Sequence, residues 1–186
     1  PDQVAAKKWF AQAADSRHVL GNYELGKLLY ENNSSPVNFS SAFTYLSFAA
    51  KKNMPDAQYL LGKMYYEGAG VKQDFQTAFQ WFSTAGANGS VGAQVKMGLM
   101  YRHGQFVRQD YFSAMNWFNI GDLAGNPEAR FNLAEMYEQG LGVNKDFKFA
   151  FNLYKISADD HFAESRYKLA KLFGEENTNI VYDLVL

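Results

Sequence analysis

The sequence predicts an all-α fold, a solenoid built from 36-residue helix–turn–helix repeats. Three observations predict it. Shifted by 36 residues, the chain aligns with itself without a gap, which brings Gly26, Gly62, Gly98, Ala134 and Ala170 into one column. A second column reads Tyr65, Tyr101, Tyr137 and Phe173, and a third reads Asp2, Asn38, Asp74, Asp110 and Asp146. Between these columns the apolar residues recur at helical spacing.

Taken in order, residues 1–17 read as the second helix of a partial repeat. Asp2 stands ahead of it, and Ala6 and Trp9 sit in columns that continue as Ala42 and Tyr45, Ala78 and Trp81, Ala114 and Trp117, and Ala150 and Leu153. Four full repeats follow at 18–53, 54–89, 90–125 and 126–161, then a partial repeat and tail at 162–186. The second full repeat shows the pattern most plainly. Its first helix runs from about Asp56 to Glu67, with Ala57, Leu61, Met64 and Tyr65 on one face. Its second helix runs from about Phe75 to Ala87, with Phe75, Ala78, Phe79, Phe82 and Ala85 inward. The Asp/Asn column precedes each second helix, where a short acceptor side chain caps free backbone N–H groups. The Gly/Ala column lets a neighbouring helix approach closely, and that contact must offset the cost of Gly in a helix, up to about 1 kcal/mol relative to Ala. The Gly68 and Gly70 pair recurs as Gly140 and Gly142, and in part at Gly104. This recurrence makes it a chain reversal between two helices and argues against a phosphate-binding loop. One hairpin cannot bury its apolar face alone, whereas stacked copies can.

Composition narrows the function. Apolar residues make up 47% and charged residues 20% of the 186, as in an ordinary folded protein. A net charge of −1 gives no general attraction to nucleic acid or anionic lipid. The absence of cysteine removes disulfides and thiolate metal sites. No apolar run approaches the roughly 20 residues of a membrane span. Asn32, Asn33, Asn38 and Asn88 each begin an N-x-S/T sequon, usable only if the chain is exported through a secretory compartment. The columns also predict a longer array. Asp2 is a second-helix start, and the same column next falls at Tyr182. The apolar tail Asn179 to Leu186 offers the alternative of folding back over the last helix.

The repeated residues resemble the Sel-1-like repeat, a relative of the tetratricopeptide repeat. The resemblance rests on Ala57, Leu61, Gly62, Met64, Tyr65, Gly68, Gly70, Val71, Asp74, Ala78, Trp81 and Phe82, and on the same pattern from Ala93 to Phe118 and from Ala129 to Ala150. The copy from Gly21 to Asn53 is degenerate, keeping Leu25, Gly26, Asn38 and Ala42 but neither loop Gly. The resemblance implies a right-handed α/α superhelix and a scaffold or adaptor role. It also implies that the first helix of each pair lines a concave face.

On that geometry the inward columns read Tyr23, Tyr59, Val95, Phe131 and Tyr167; Lys27, Lys63, Leu99, Glu135 and Lys171; and Tyr30, Tyr66, Arg102, Glu138 and Gly174, with Glu67 beside Tyr66. Aromatic anchors among charges are the composition of protein-binding hot spots. The expected ligand is therefore a protein or peptide segment. For Tyr23, Tyr59, Phe131 and Tyr167 the competing reading is packing between repeats. Tyr66 and Arg102 are expected to be exposed.

Chemistry finds little support. His18, His103 and His161 occupy different repeat positions, and no nucleophile, phosphate or metal-ligand motif is present. Asp159-Asp160-His161 reads as a polar turn. No cofactor is implied, and no catalytic or metal-binding residue is assigned. The basic residues are dispersed, which disfavours nucleic acid, although some α-solenoids read RNA through their repeats. The reading is a non-enzymatic protein-interaction scaffold. Regulation or inhibition of an enzyme by direct docking is the alternative.

Overall fold

The computed structural model describes residues 3–32 and 36–174. Asp2 and the tail Asn179 to Leu186, with the expectations placed on them, lie outside the described residues. The described residues form ten α-helices: α1 (Gln3–Asp15), α2 (Val19–Glu31), α3 (Pro36–Lys51), α4 (Pro55–Glu67), α5 (Phe75–Ala87), α6 (Val91–His103), α7 (Tyr111–Leu123), α8 (Pro127–Gln139), α9 (Phe147–Asp159) and α10 (Ala163–Gly174). Within residues 1–97 the helices α1 to α5 pack on one another in sequence, and within residues 98–186 α7 to α10 do so, as a solenoid of hairpins requires. The even-numbered helices through α10 are the first helices of the repeats, and the odd-numbered ones are the second helices.

The chain divides into two compact units, Pro1–Met97 and Gly98–Leu186, with the division inside α6. In the first unit Leu25, Ala42, Leu46, Ala57, Leu61, Met64, Ala78 and Phe82 are buried. In the second, Met100, Ala114, Phe118, Ala129, Leu133, Met136, Ala150 and Tyr154 repeat that core. The Gly/Ala column does what the sequence predicts. A Cβ at Gly62 would lie 2.8 Å from the Phe82 ring, and one at Gly98 would run into the Phe118 ring. The missing side chain is the room in which the aromatic of the next helix sits.

The second helices start at the expected acids. Asp74, Asp110 and Asp146 accept from backbone N–H groups of Thr77, Ser113 and Phe149, at 3.0, 3.2 and 2.8 Å. Their own N–H groups donate to the carbonyls of Tyr65, Tyr101 and Tyr137, which closes each loop on the end of the first helix. Asn38 departs from this column. Helix α3 begins two residues earlier, at Pro36, whose fixed φ suits a first helical position. Asn38 lies inside the helix, and its amide donates to the Asn32 carbonyl at 2.8 Å.

A polar clasp also repeats, in a column whose residue type changes along the chain. Asn22, Gln58 and Gln94 are buried near the starts of α2, α4 and α6. Each donates its side-chain amide to a carbonyl eight residues earlier, at Ala14, Ala50 and Gly86. These carbonyls belong to the last turn of the preceding helix and also accept the turn N–H groups of Arg17, Asn53 and Gly89, so the clasp uses their second lone pair. In the second unit Arg166 does the same to Ala158 at 3.1 Å, and Arg130 reaches the Asp122 carboxylate at 2.6 Å.

Candidate protein-interaction surface

In the first unit, Tyr23, Lys27 and Tyr30 follow one another on α2 at intervals of four and three residues, and Tyr59, Lys63 and Tyr66 do so on α4. That spacing puts each trio on one helical face. All six are half-buried. The Tyr30 hydroxyl donates to Glu67 Oε2 at 2.5 Å, which joins α2 to α4. Lys63 Nζ lies 5.2 Å from the Tyr30 ring centre and 4.0 Å from Glu67 Oε1. In the same sense Lys96 Nζ lies 4.2 Å over the Tyr66 ring. Tyr66 packs edge-on against Phe75 at 5.4 Å. Tyr59 leans on Phe82 at 5.9 Å and fits against Gly92, where a Cβ would come within 3.1 Å of its ring. Burial, with Asp56 nearby, pushes the Tyr23 hydroxyl up to about 12. Burial also raises the Tyr30 hydroxyl, helped by its bond to Glu67. Both therefore remain neutral hydrogen-bond donors at ordinary pH.

The second unit uses the same columns differently. Arg102, expected to be exposed, is buried at 8%. Its guanidinium Nη1 meets Glu135 Oε2 at 2.6 Å and Asn132 Oδ1 at 3.1 Å, on the next first helix. The reach of an arginine and the presence of two acceptors one repeat on account for the reversal. Glu138 accepts from the buried Tyr154 hydroxyl at 2.6 Å and pairs with Lys168 at 2.9 Å. Burial, followed by that hydrogen bond, pushes the Tyr154 hydroxyl well above its usual range. Phe131 is held between Tyr154 and Phe162, 5.5 Å from each ring. Leu99 is half-buried, whereas Lys171 is exposed and Tyr167 is 73% exposed.

The predicted columns thus split into two groups. Tyr30, Arg102, Phe131, Glu135 and Glu138 are engaged in joining one first helix to its neighbours. Tyr23, Lys27, Tyr59, Lys63, Tyr66, Glu67, Leu99, Tyr167 and Lys171 keep surface that a partner can reach. Among the other sequence candidates, His18 accepts from the Gly21 N–H at 3.3 Å and so caps α2. His161 sits at the turn before α10 in contact with Arg166. Asp160 meets Arg130. Asn88 is exposed, and its amide donates to Gln58 Oε1 at 2.9 Å, so this sequon asparagine already has a side-chain partner. Among the described residues no group of three or more His, Asp or Glu could hold a metal ion, and no helix is long and apolar enough to cross a membrane.

These features define a class, the helix-hairpin repeat proteins whose side-chain columns join successive first helices. The profile of the Sel1 repeat matches residues 1–18, 19–54, 55–90, 91–121 and 127–161. The chain belongs to the Sel1 repeat family, whose members are generally protein-interaction scaffolds. Among solved structures it is similar to a protective antigen of uropathogenic Escherichia coli that displays an SLR fold. That match has 32% identity and a TM-score of 0.79, over 89% of this chain and 36% of the antigen. It is also similar to a Sel1 repeat protein from Oxalobacter formigenes, at 29% identity and a TM-score of 0.78, over 83% of this chain and 63% of that one. An immunity protein from Pseudomonas aeruginosa shares the fold at 19% identity and a TM-score of 0.63, with 91% of this chain and 63% of that one covered. The chain therefore spans about a third of the first relative's length and under two thirds of the second's. No curated protein sequence matches it.

Proposed function

We propose that this protein is a scaffold or adaptor that binds a partner protein or peptide through the inward columns of its first helices, the side that the repeat resemblance makes concave. The contact residues are Tyr23, Lys27, Tyr59, Lys63, Tyr66 and Glu67 in the first unit, and Leu99, Tyr167 and Lys171 in the second. The observation that carries this reading is the ordering of the Tyr66 ring, which lies under Lys96 Nζ at 4.2 Å and edge-on to Phe75 at 5.4 Å, with Tyr59 held against Phe82 at 5.9 Å. These contacts hold large amphipathic rings in fixed orientations at half-buried positions. A ring already ordered loses little conformational freedom on binding, and this favours hot-spot behaviour.

The test is affinity capture with the wild-type chain, followed by measured binding of each candidate partner to Tyr66→Ala and Lys63→Glu. Each substitution should weaken a true partner by about tenfold or more, equivalent to roughly 1.4 kcal/mol. Circular dichroism must show both variants folded at the assay temperature, since Tyr66 also packs on Phe75 and Phe82. Unchanged affinity in both variants would count against this face. Glu135 is unsuited to the test, because reversing its charge would oppose the buried Arg102 and measure folding instead.

A further inference from the structure

The second helices carry their own signal, on the face turned away from the core. On α7, Phe112, Asn116, Asn119 and Leu123 are all exposed, with Phe112 at 72% and Leu123 at 88%. Their spacing of four, three and four residues draws one straight line along the helix, about 16 Å long. The fold does not require apolar residues there. The same repeat positions are Gln76, Gln80, Ser83 and Ala87 on α5, and Lys148, Asn152, Lys155 and Asp159 on α9. Ile120 on α7 and Phe149 and Ile156 on α9 are further exposed large apolar residues of the same unit. The line itself carries no charge, and Asp122, the single charged residue of α7, is already paired with Arg130.

We propose that this line is a self-association surface, which pairs α7 with α7 of a second copy in antiparallel orientation about a two-fold axis. The argument for a second copy is the symmetry of the line. In an antiparallel pair centred between Trp117 and Phe118, Phe112 of one copy faces Leu123 of the other, and Asn116 faces Asn119. The outer positions then bury apolar surface twice. The inner ones match an amide with an amide, each able to donate and to accept. A two-fold contact needs this self-complementarity, and an uncharged line brings no like-charge repulsion across the axis. Phe112 and Leu123, exposed at the two ends of this uncharged line, are the apolar surface that such a contact would cover.

Sedimentation velocity of the 186-residue chain over a wide concentration range tests this. The wild type should move from 21.0 kDa toward twice that mass as concentration rises. Phe112→Lys and Leu123→Glu alone should each raise the dissociation constant at least about tenfold. Mixing the two variants should restore dimers, because the antiparallel register sets the new lysine against the new glutamate while the other pair stays apolar. Gln76→Lys, at the equivalent place on α5, should change nothing. Circular dichroism melts of all variants should match wild type. A chain that stays monomeric at every concentration overturns the proposal. So does a dimer indifferent to these substitutions, or a mixture that fails to reassociate.

Discussion

At the scale of the residue, the acids that open the second helices do two jobs with one carboxylate. Asp74 accepts from the Thr77 backbone N–H at 3.0 Å and from its hydroxyl at 2.7 Å. Asp110 does the same with Ser113, at 3.2 and 2.6 Å. These bonds favour the ionised form. The Thr77 backbone bond comes first for Asp74 and the Ser113 hydroxyl first for Asp110, and each carboxyl is held below its ordinary 3.8. A folded value below the unfolded one contributes stability above the unfolded value and loses it as pH falls through the folded value. The stability that these two caps contribute should therefore be fully present at neutral pH and be lost as pH falls through and below the ordinary carboxylate range. The double variant Asp74→Asn, Asp110→Asn keeps a capping oxygen but cannot titrate, so its acid limb should be shallower. Identical limbs in melts of the two proteins would remove these carboxylates from the account. The capping role was legible in the sequence, because a cap needs only a local residue type and a helix to follow it. The burial of Arg102 was not, because it depends on Asn132 and Glu135, thirty and more positions away.

At the scale of the element, the loop after each first helix shows what the repeat demands of its backbone. Gly68 and Gly140 end α4 and α8 with φ of 72° and 73°, and Gly70 and Gly142 follow at 73° each. The third repeat keeps Gly104, at 66°, but puts Phe106 where the second and fourth repeats have the second glycine. Phe106 is nevertheless held at φ 62°, half exposed. For an L-residue this left-handed backbone costs roughly 1–2 kcal/mol, and glycine adopts it without that strain. Phe106→Gly should raise stability by about 1 kcal/mol once glycine's larger unfolded-state freedom is subtracted. Denaturant unfolding checks it, and a fall in midpoint would mean that the Phe106 ring contributes more packing than the strain costs. The periodicity showed these loops because glycine is visible as a letter. The clasp formed by Asn22, Gln58, Gln94, Arg130 and Arg166 stayed hidden, because its column changes residue type. What recurs there is a donor long enough to reach back to the preceding helix.

At the scale of the whole molecule, a repeat array holds together through neighbours alone, so an injury should stay near where it is made. Arg102 offers the sharpest test. Its loss leaves the Glu135 carboxylate and the buried Asn132 oxygen without the cation that satisfies both. Breaking a buried pair from one side costs about 3–5 kcal/mol, and Glu135, with 22% of its side chain exposed, places Arg102→Ala at the low end. Arg102→Met keeps the apolar stem in place and should separate packing from charge. Adding Glu135→Gln to either variant should recover part of the loss, because the stranded charge is gone. The readout that distinguishes local from global damage is native-state hydrogen exchange. Protection should drop in α8 and in the helices packed on it, α7 and α9, while the amides of α2 to α4 exchange as in the wild type. Loss spread evenly over both units would mean that the chain unfolds as one cooperative body, and nearest-neighbour reasoning would then fail for this array.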